Sequence, residues 1–218
     1  MSRRVLLLSA LERSDKNAAR ARRIKLLLFD VDGVLTDGTI WLFPAPAGAP
    51  QPATGARKQK GDAPGFGIVS ANIIEAKGFN AHDGTGISLA RMGGLKTGVI
   101  TKRISETVAL RARDLKLDHV RQGIEDKLHV FEEILQKESL QHDDAAFVGD
   151  DIIDLPVMRR CGLAIAVVNA REEVKREAHY VTEHRGGDGA ARDAIEFILR
   201  AQGSWQRVME EYIASRSK

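Results

Sequence analysis

The stretch Ile24-Lys-Leu-Leu-Leu-Phe29 is apolar at all but one position and runs straight into Asp30-Val-Asp32-Gly33. A short apolar run bounded by a turn signal is the pattern of a strand buried on both faces, as in the middle of a parallel sheet. Asp30 and Asp32, two apart at the carboxyl end of such a strand, can project to the same side. That end is where open α/β sheets bind their ligands. Further apolar strands are expected at Thr97–Ile100, Ala145–Val148 and Leu163–Val168. Helical spacing falls near Ile104–Leu115, Lys127–Glu138, Ile152–Arg160 and Ala190–Leu199. Strands alternating with helices predict an α/β fold, a doubly wound (Rossmann-like) parallel sheet.

With 218 residues the chain suits one well-buried domain, expected over 24–201. Aromatics are only 5% of the sequence, so the core must come mainly from Leu, Ile, Val and Ala. A lone cysteine, Cys161, excludes an internal disulfide and reads as a buried bystander. A net charge of +3, with no long basic patch, argues against a nucleic-acid partner. Residues 1–23 form a basic leader, expected to be amphipathic or frayed; its apolar run Val5–Leu8 is too short to span a membrane. Residues 44–67 hold Pro44, Pro46, Pro50, Pro52 and Pro64 and few large apolar residues, the composition of a flexible insertion. Its flanks, Thr39–Phe43 and Ile68–Ile74, are expected to be the arms of a projecting β-hairpin. Residues 202–218 form an amphipathic tail, whose apolar stripe Trp205, Val208, Met209, Tyr212 and Ile213 should pack on this chain or a neighbouring subunit.

Two carboxylates at one strand end repel unless a cation or a proton is shared between them. A divalent metal beside one and a retained proton on the other would give a charged nucleophile next to an acid. Gly149-Asp150-Asp151-Ile-Ile-Asp154 repeats the pattern after a second apolar strand. Helix capping accounts for one aspartate there but poorly for three. Magnesium takes a few carboxylates plus phosphate and water oxygens, which this group and Asp30 could supply together. Thr101 follows another strand and can hold phosphate oxygens with backbone N–H groups. Lys127, opening a helix, can offset charge on a phosphoryl group.

These features, Asp30-Val-Asp-Gly-Val-Leu-Thr36, Thr101, Lys127 and Gly149–Asp154, make the chain resemble the haloacid-dehalogenase superfamily of phosphohydrolases. The resemblance implies that Asp30 attacks phosphorus to form an aspartyl-phosphate and that Asp32 serves as general acid and then base. It also implies Mg²⁺ held by Asp30, the Asp32 carbonyl and Asp150. Dehalogenases lack the second aspartate, and transport ATPases carry threonine there, so Asp32 points to phosphate esters.

Asp37-Gly-Thr-Ile-Trp41, Gly78–Ile87, Gly149–Met158 and Gly186–Arg192 look more narrowly like the 3-deoxy-D-manno-octulosonate 8-phosphate phosphatases within that superfamily. That likeness implies a cytoplasmic homotetramer acting on a sugar phosphate in lipopolysaccharide synthesis. It implies substrate contacts from Asp32, Asp83, Gly84, Gly86, Thr101, Lys102, Arg103 and Lys127. Asp83, Gly84 and Gly86 are expected in a turn beside the pocket. The sequence departs from the family at Lys102, where glycine is usual, at His82, where arginine is common, and in its long insertion. The interval from Thr101 to Lys127 holds one helix and one strand, with no room for a large cap domain. A neighbouring subunit's hairpin is therefore expected to cover the site. Two alternatives stand beside this reading: a phosphatase of a nonulosonate 9-phosphate, and an inactive phosphatase fold serving as a binding or scaffold protein.

Overall fold

The computed structural model describes residues 15–45 and 73–215. Residues 1–14 of the leader, most of the 44–67 insertion and residues 68–72 of the expected second hairpin arm lie outside them. Six strands form one parallel sheet in the order β5 (His119–Gln122), β4 (Lys96–Thr101), β1 (Leu26–Phe29), β6 (Ala145–Gly149), β7 (Leu163–Ala166), β8 (Tyr180–Val181). All four residues of β1, β6 residues 145–148 and all of β7 have essentially no solvent exposure. Such burial on both faces requires near-continuous apolar sequence and explains why these strands show no alternation.

Helices flank the sheet. α2 (Ala81–Met92) packs against α3 (Glu106–Leu115), α7 (Ala190–Ala201) and α8 (Trp205–Ala214). A second group holds α4 (Lys127–Glu138), α5 (Leu155–Met158) and α6 (Glu172–Glu177). Phe29, Phe131 and Phe147 are the largest fully buried side chains among the core aliphatics. No helix of the described residues is long and apolar enough to cross a membrane.

The expected strands and the helices at 127–138 and 190–199 appear within a few residues of their sequence bounds. Two expectations change, and two that were left between alternatives are decided. The helix expected at Ile152–Arg160 is a 3-10 turn, Ile152–Asp154, followed by the four-residue α5. The 81–92 segment, expected as a turn at Asp83-Gly84-Thr-Gly86, is the helix α2, started by the Asn80 side chain accepting from His82 N. Its glycines mark close packing instead: a Cβ on Gly84 would meet Arg111 at 2.5 Å, and one on Gly86 the Arg192 backbone at 3.2 Å. Residues 15–23 of the leader are helical (α1), not frayed. Arg20 donates to the Gly162 carbonyl at 2.9 Å, and Ala21 is wholly buried. The tail packs on its own chain, with Trp205 and Val208 buried and the Trp205 ring beneath Arg192 and Arg200.

The projecting hairpin consists of β2 (Trp41–Pro44) paired antiparallel with β3 (Ile73–Ala76). Trp41, Leu42, Phe43, Ile73 and Ile74 are exposed on it. Beyond its base, the chain from β4 to α4 contains only α3 and β5.

Candidate active site

Register brings the site together. β1 lies between β4 and β6, with Phe29 opposite Val99 on one side and Val148 on the other. The three strands therefore end side by side, placing Asp30, Thr101 and Asp150 around one point. A cleft of about 230 Å³ opens there, lined by Asp30, Asp32, Thr101, Lys102, Arg103 and Asp150, with Asp151 and Ile153 at its edge. A larger hollow of about 460 Å³ lies at the opposite ends of the strands, around Lys25, Leu95 and Asp144. The chemistry-bearing carboxylates are in the smaller one.

Asp30 is almost fully buried. Its Oδ1 accepts from Val31 N at 2.7 Å, and its Oδ2 lies 3.0 Å from the Lys127 ammonium. Burial raises its carboxyl to about 6 against the opposing pull of Lys127. Each oxygen keeps a lone pair after these contacts. Lys127, capped into place by the Asp126 side chain at the start of α4, also reaches Asp154 Oδ1 at 2.7 Å.

Asp150 is raised further, to about 7, by burial and by the charges of Asp30, Asp154 and Asp151. Its Oδ1 is buried with no hydrogen-bond partner among the described residues. Gly33, at φ +93°, makes room for this carboxylate: a Cβ there would sit 2.2 Å from Asp150 Oδ2. Ligand atoms of Asp30, Asp150 and Asp154 all lie within 4.8 Å of one another. A buried carboxylate oxygen without a donor, beside a second carboxylate, is a poor resting arrangement alone and a good one around a hard cation. The residues present thus fit a divalent metal. Asp154 is the least available of the three, because its Oδ1 faces Lys127 and its Oδ2 accepts from Asp150 N at 3.0 Å.

Asp154 is one site residue that sequence reasoning left unassigned. It stands at the end of the acidic run Gly149–Asp154, where helix capping was expected to account for one aspartate alone. Asp151 and Asp154 instead form a reciprocal capping box around the 3-10 turn, so capping explains two of the three aspartates. Lys77 and Glu75, just where the hairpin returns to the core, carried no sequence signal. Lys77 forms an ion pair with Asp32 Oδ1, and Arg103 Nε approaches Asp32 Oδ2 at 3.7 Å. Lys102 pairs with Glu125 at 3.1 Å. Asp83 does not line the cleft. Buried in α2, it accepts from Gly189 N and Arg192 N and so caps α7.

Residues 101–193 match the model of the haloacid dehalogenase-like hydrolases. The chain is 36% identical over 185 residues to 3-deoxy-D-manno-octulosonate 8-phosphate phosphatase KdsC of Escherichia coli strain K12, covering 85% of this chain and 84% of that protein. A crystal structure of the Moraxella catarrhalis phosphatase of that name, in complex with magnesium, phosphate and KDO, superposes with a TM-score of 0.75. Its sequence identity is 30%, covering 91% of this chain and 98% of that one. The cobalt-bound phosphatase from Haemophilus influenzae gives a TM-score of 0.67 at 28% identity, covering 84% and 92%.

Proposed function

Since this chain belongs to the 3-deoxy-D-manno-octulosonate 8-phosphate phosphatases, within the haloacid dehalogenase-like hydrolases, we propose that it hydrolyses that sugar phosphate. One observation carries the chemistry: two strand ends set the carboxylates of Asp30 and Asp150 together, with an Asp150 oxygen buried and without a hydrogen-bond partner among the described residues.

Asp30 supplies the carboxylate oxygen that attacks phosphorus, held in line by Val31 N and Lys127. Lys127 draws charge from the phosphoryl oxygens, assisted by Thr101 at the adjacent strand end. As the P–O ester bond breaks, Asp32 gives its proton to the leaving alkoxide oxygen. Asp32 then accepts a proton from the water that attacks the phosphoryl-aspartate, releasing inorganic phosphate and restoring Asp30. Lys102 and Arg103 line the cleft wall, which supports a role for them in meeting the substrate's own anionic groups. Asp30, Asp150 and the Asp32 carbonyl would hold Mg²⁺, which when bound neutralises charge on the transferred group.

A homotetramer in the cytoplasm, feeding lipopolysaccharide sugar synthesis, follows the same family reading. The exposed apolar hairpin supports the assembly, because an unburied face of Trp41, Phe43 and Ile74 favours a protein partner. Phosphatase core 24–201, leader and tail remain the proposed domain division, with α1 and α8 docked on that core.

The test is a panel of octulosonate 8-phosphate and nonulosonate 9-phosphates with Mg²⁺, alongside Asp30→Asn. Release of phosphate from the octulosonate ester, abolished in Asp30→Asn, is the expected result. Preference for a nonulosonate 9-phosphate would move the substrate, and an inert wild-type protein would leave only a binding fold.

A further inference from the structure

The hairpin's return strand delivers two charged side chains into the site of its own chain. The Lys77 side chain has no exposed surface, an expensive location for an ammonium unless carboxylates face it. Two do: Asp32, in direct contact, and Glu75 Oε1 at 3.9 Å. Glu75 is itself fixed, accepting from Ser105 Oγ at 2.6 Å and from Arg103 Nη2 at 3.3 Å. Arg103 in turn stands 3.7 Å from the other oxygen of Asp32. Asp32 is thus held on Oδ1 by Lys77, while Arg103 Nε, too far for a hydrogen bond, leaves Oδ2 open, and Glu75 ties the two cations together.

We propose that Lys77 is a positioning residue for Asp32, with Glu75 as its anchor, so that the hairpin base sets the acid–base carboxylate toward the leaving oxygen. The inference rests on the phosphatase reading above. Lys77 does not line the cleft, and it acts through Asp32 alone. A carboxylic acid must sit within hydrogen-bond reach of the ester oxygen to give up its proton as that bond breaks. Without Lys77, the Asp32 carboxylate loses its direct contact partner and is free to change rotamer, so it no longer points steadily at the leaving oxygen.

The leaving group provides the test. An alkoxide needs the proton from Asp32 to depart, whereas 4-nitrophenolate departs readily without one. kcat/KM reports the steps through departure of the leaving group. For Lys77→Met we expect kcat/KM on the octulosonate ester to fall roughly ten- to hundredfold. On 4-nitrophenyl phosphate it should change little. Lys77→Arg should recover most of the loss. Glu75→Gln, which keeps the Lys77 side chain, should show a smaller loss of the same selectivity, and it decides the matter if Lys77→Met does not fold. Equal loss on both substrates, or none on the sugar ester, overturns the proposal. Wild-type protein that cleaves the aryl ester but not the octulosonate ester would instead count against the substrate reading. The comparison then runs on whichever alkyl phosphate the protein accepts, with the same two outcomes.

Discussion

The Lys127 ammonium stands 3.0 Å from Oδ2 of Asp30, with both side chains almost wholly buried. Because the same nitrogen reaches Asp154, one cation joins the end of β1 to the turn after β6. Lys127→Met would leave two buried carboxylates facing each other without it. The expected outcome is a kcat lower by roughly a hundred- to a thousandfold. Stability should also fall by about 3–5 kcal/mol, the usual cost of breaking a buried ion pair from one side. Steady-state kinetics and urea denaturation measure the two effects. Normal kinetics would remove Lys127 from the machinery.

Metal affinity should depend on pH. Burial holds the Asp150 carboxyl near about 7 and the Asp30 carboxyl near about 6, both above the ordinary 3.8. The folded metal-free chain therefore binds these protons more tightly than the unfolded chain does. Their effect on stability is absent below the ordinary value and becomes unfavourable as pH rises toward about 7. A divalent ion must displace the protons, so Mg²⁺ should bind more tightly as pH climbs through this window and level off above it. Titration calorimetry should show affinity changing roughly tenfold per pH unit for each proton released. The melting temperature gained with Mg²⁺ should likewise grow from acid to neutral pH. A flat affinity profile would contradict the site.

From behind, Gly186 supports the 30–34 loop that begins with Asp30. A Cβ at this position would fall 1.7 Å from the Gly33 carbonyl, and the next residue, Gly187, donates to the Val34 carbonyl at 2.9 Å. Gly186→Ala should push the 30–34 loop outward. A displacement near an ångström at the reacting group costs about a hundredfold in rate. We expect a loss of that order with an unchanged circular dichroism spectrum. Full activity would show that the loop yields without moving Asp30.

Trp205 separates stability from catalysis. It is buried against α7 beneath two arginines and lies apart from the cleft. Trp205→Ala should cost about 3 kcal/mol, and on a chain of this size the melting temperature should drop by roughly 6–12 °C. Activity per folded molecule should not change. A selective fall in kcat would instead link α8 to the site.

The catalytic side of the sheet could be read from the sequence because apolar runs ending in aspartate leave little choice of structure. Ile24–Phe29 and Ala145–Val148 had to be buried strands, and their successors had to meet at one edge. The helix α2 is not legible in the sequence because Gly84 and Gly86 look like turn residues, whereas in the structure Gly84 faces the Arg111 side chain of α3 and Gly86 packs closely on Arg192 of α7. Asp83, expected among the substrate contacts from the family likeness, caps a helix remote in sequence. Lys77 was illegible for a different reason. Its meaning lies in contacts to Asp32 and Glu75 that depend on how the hairpin folds back, which no local spacing encodes.

The strand order places β1 in the middle, fenced by β4 from one stretch of chain and β6 from a much later one. Asp30 therefore emerges from synthesis well before Gly149 but acquires its full surroundings only after Gly149 has joined the sheet. Neither half of a protease-clipped molecule can hold a competent centre by itself, and refolding must close these distant pairings before any turnover begins. Recovery of hydrolysis after denaturation should consequently trace the last step of sheet assembly and not the first collapse.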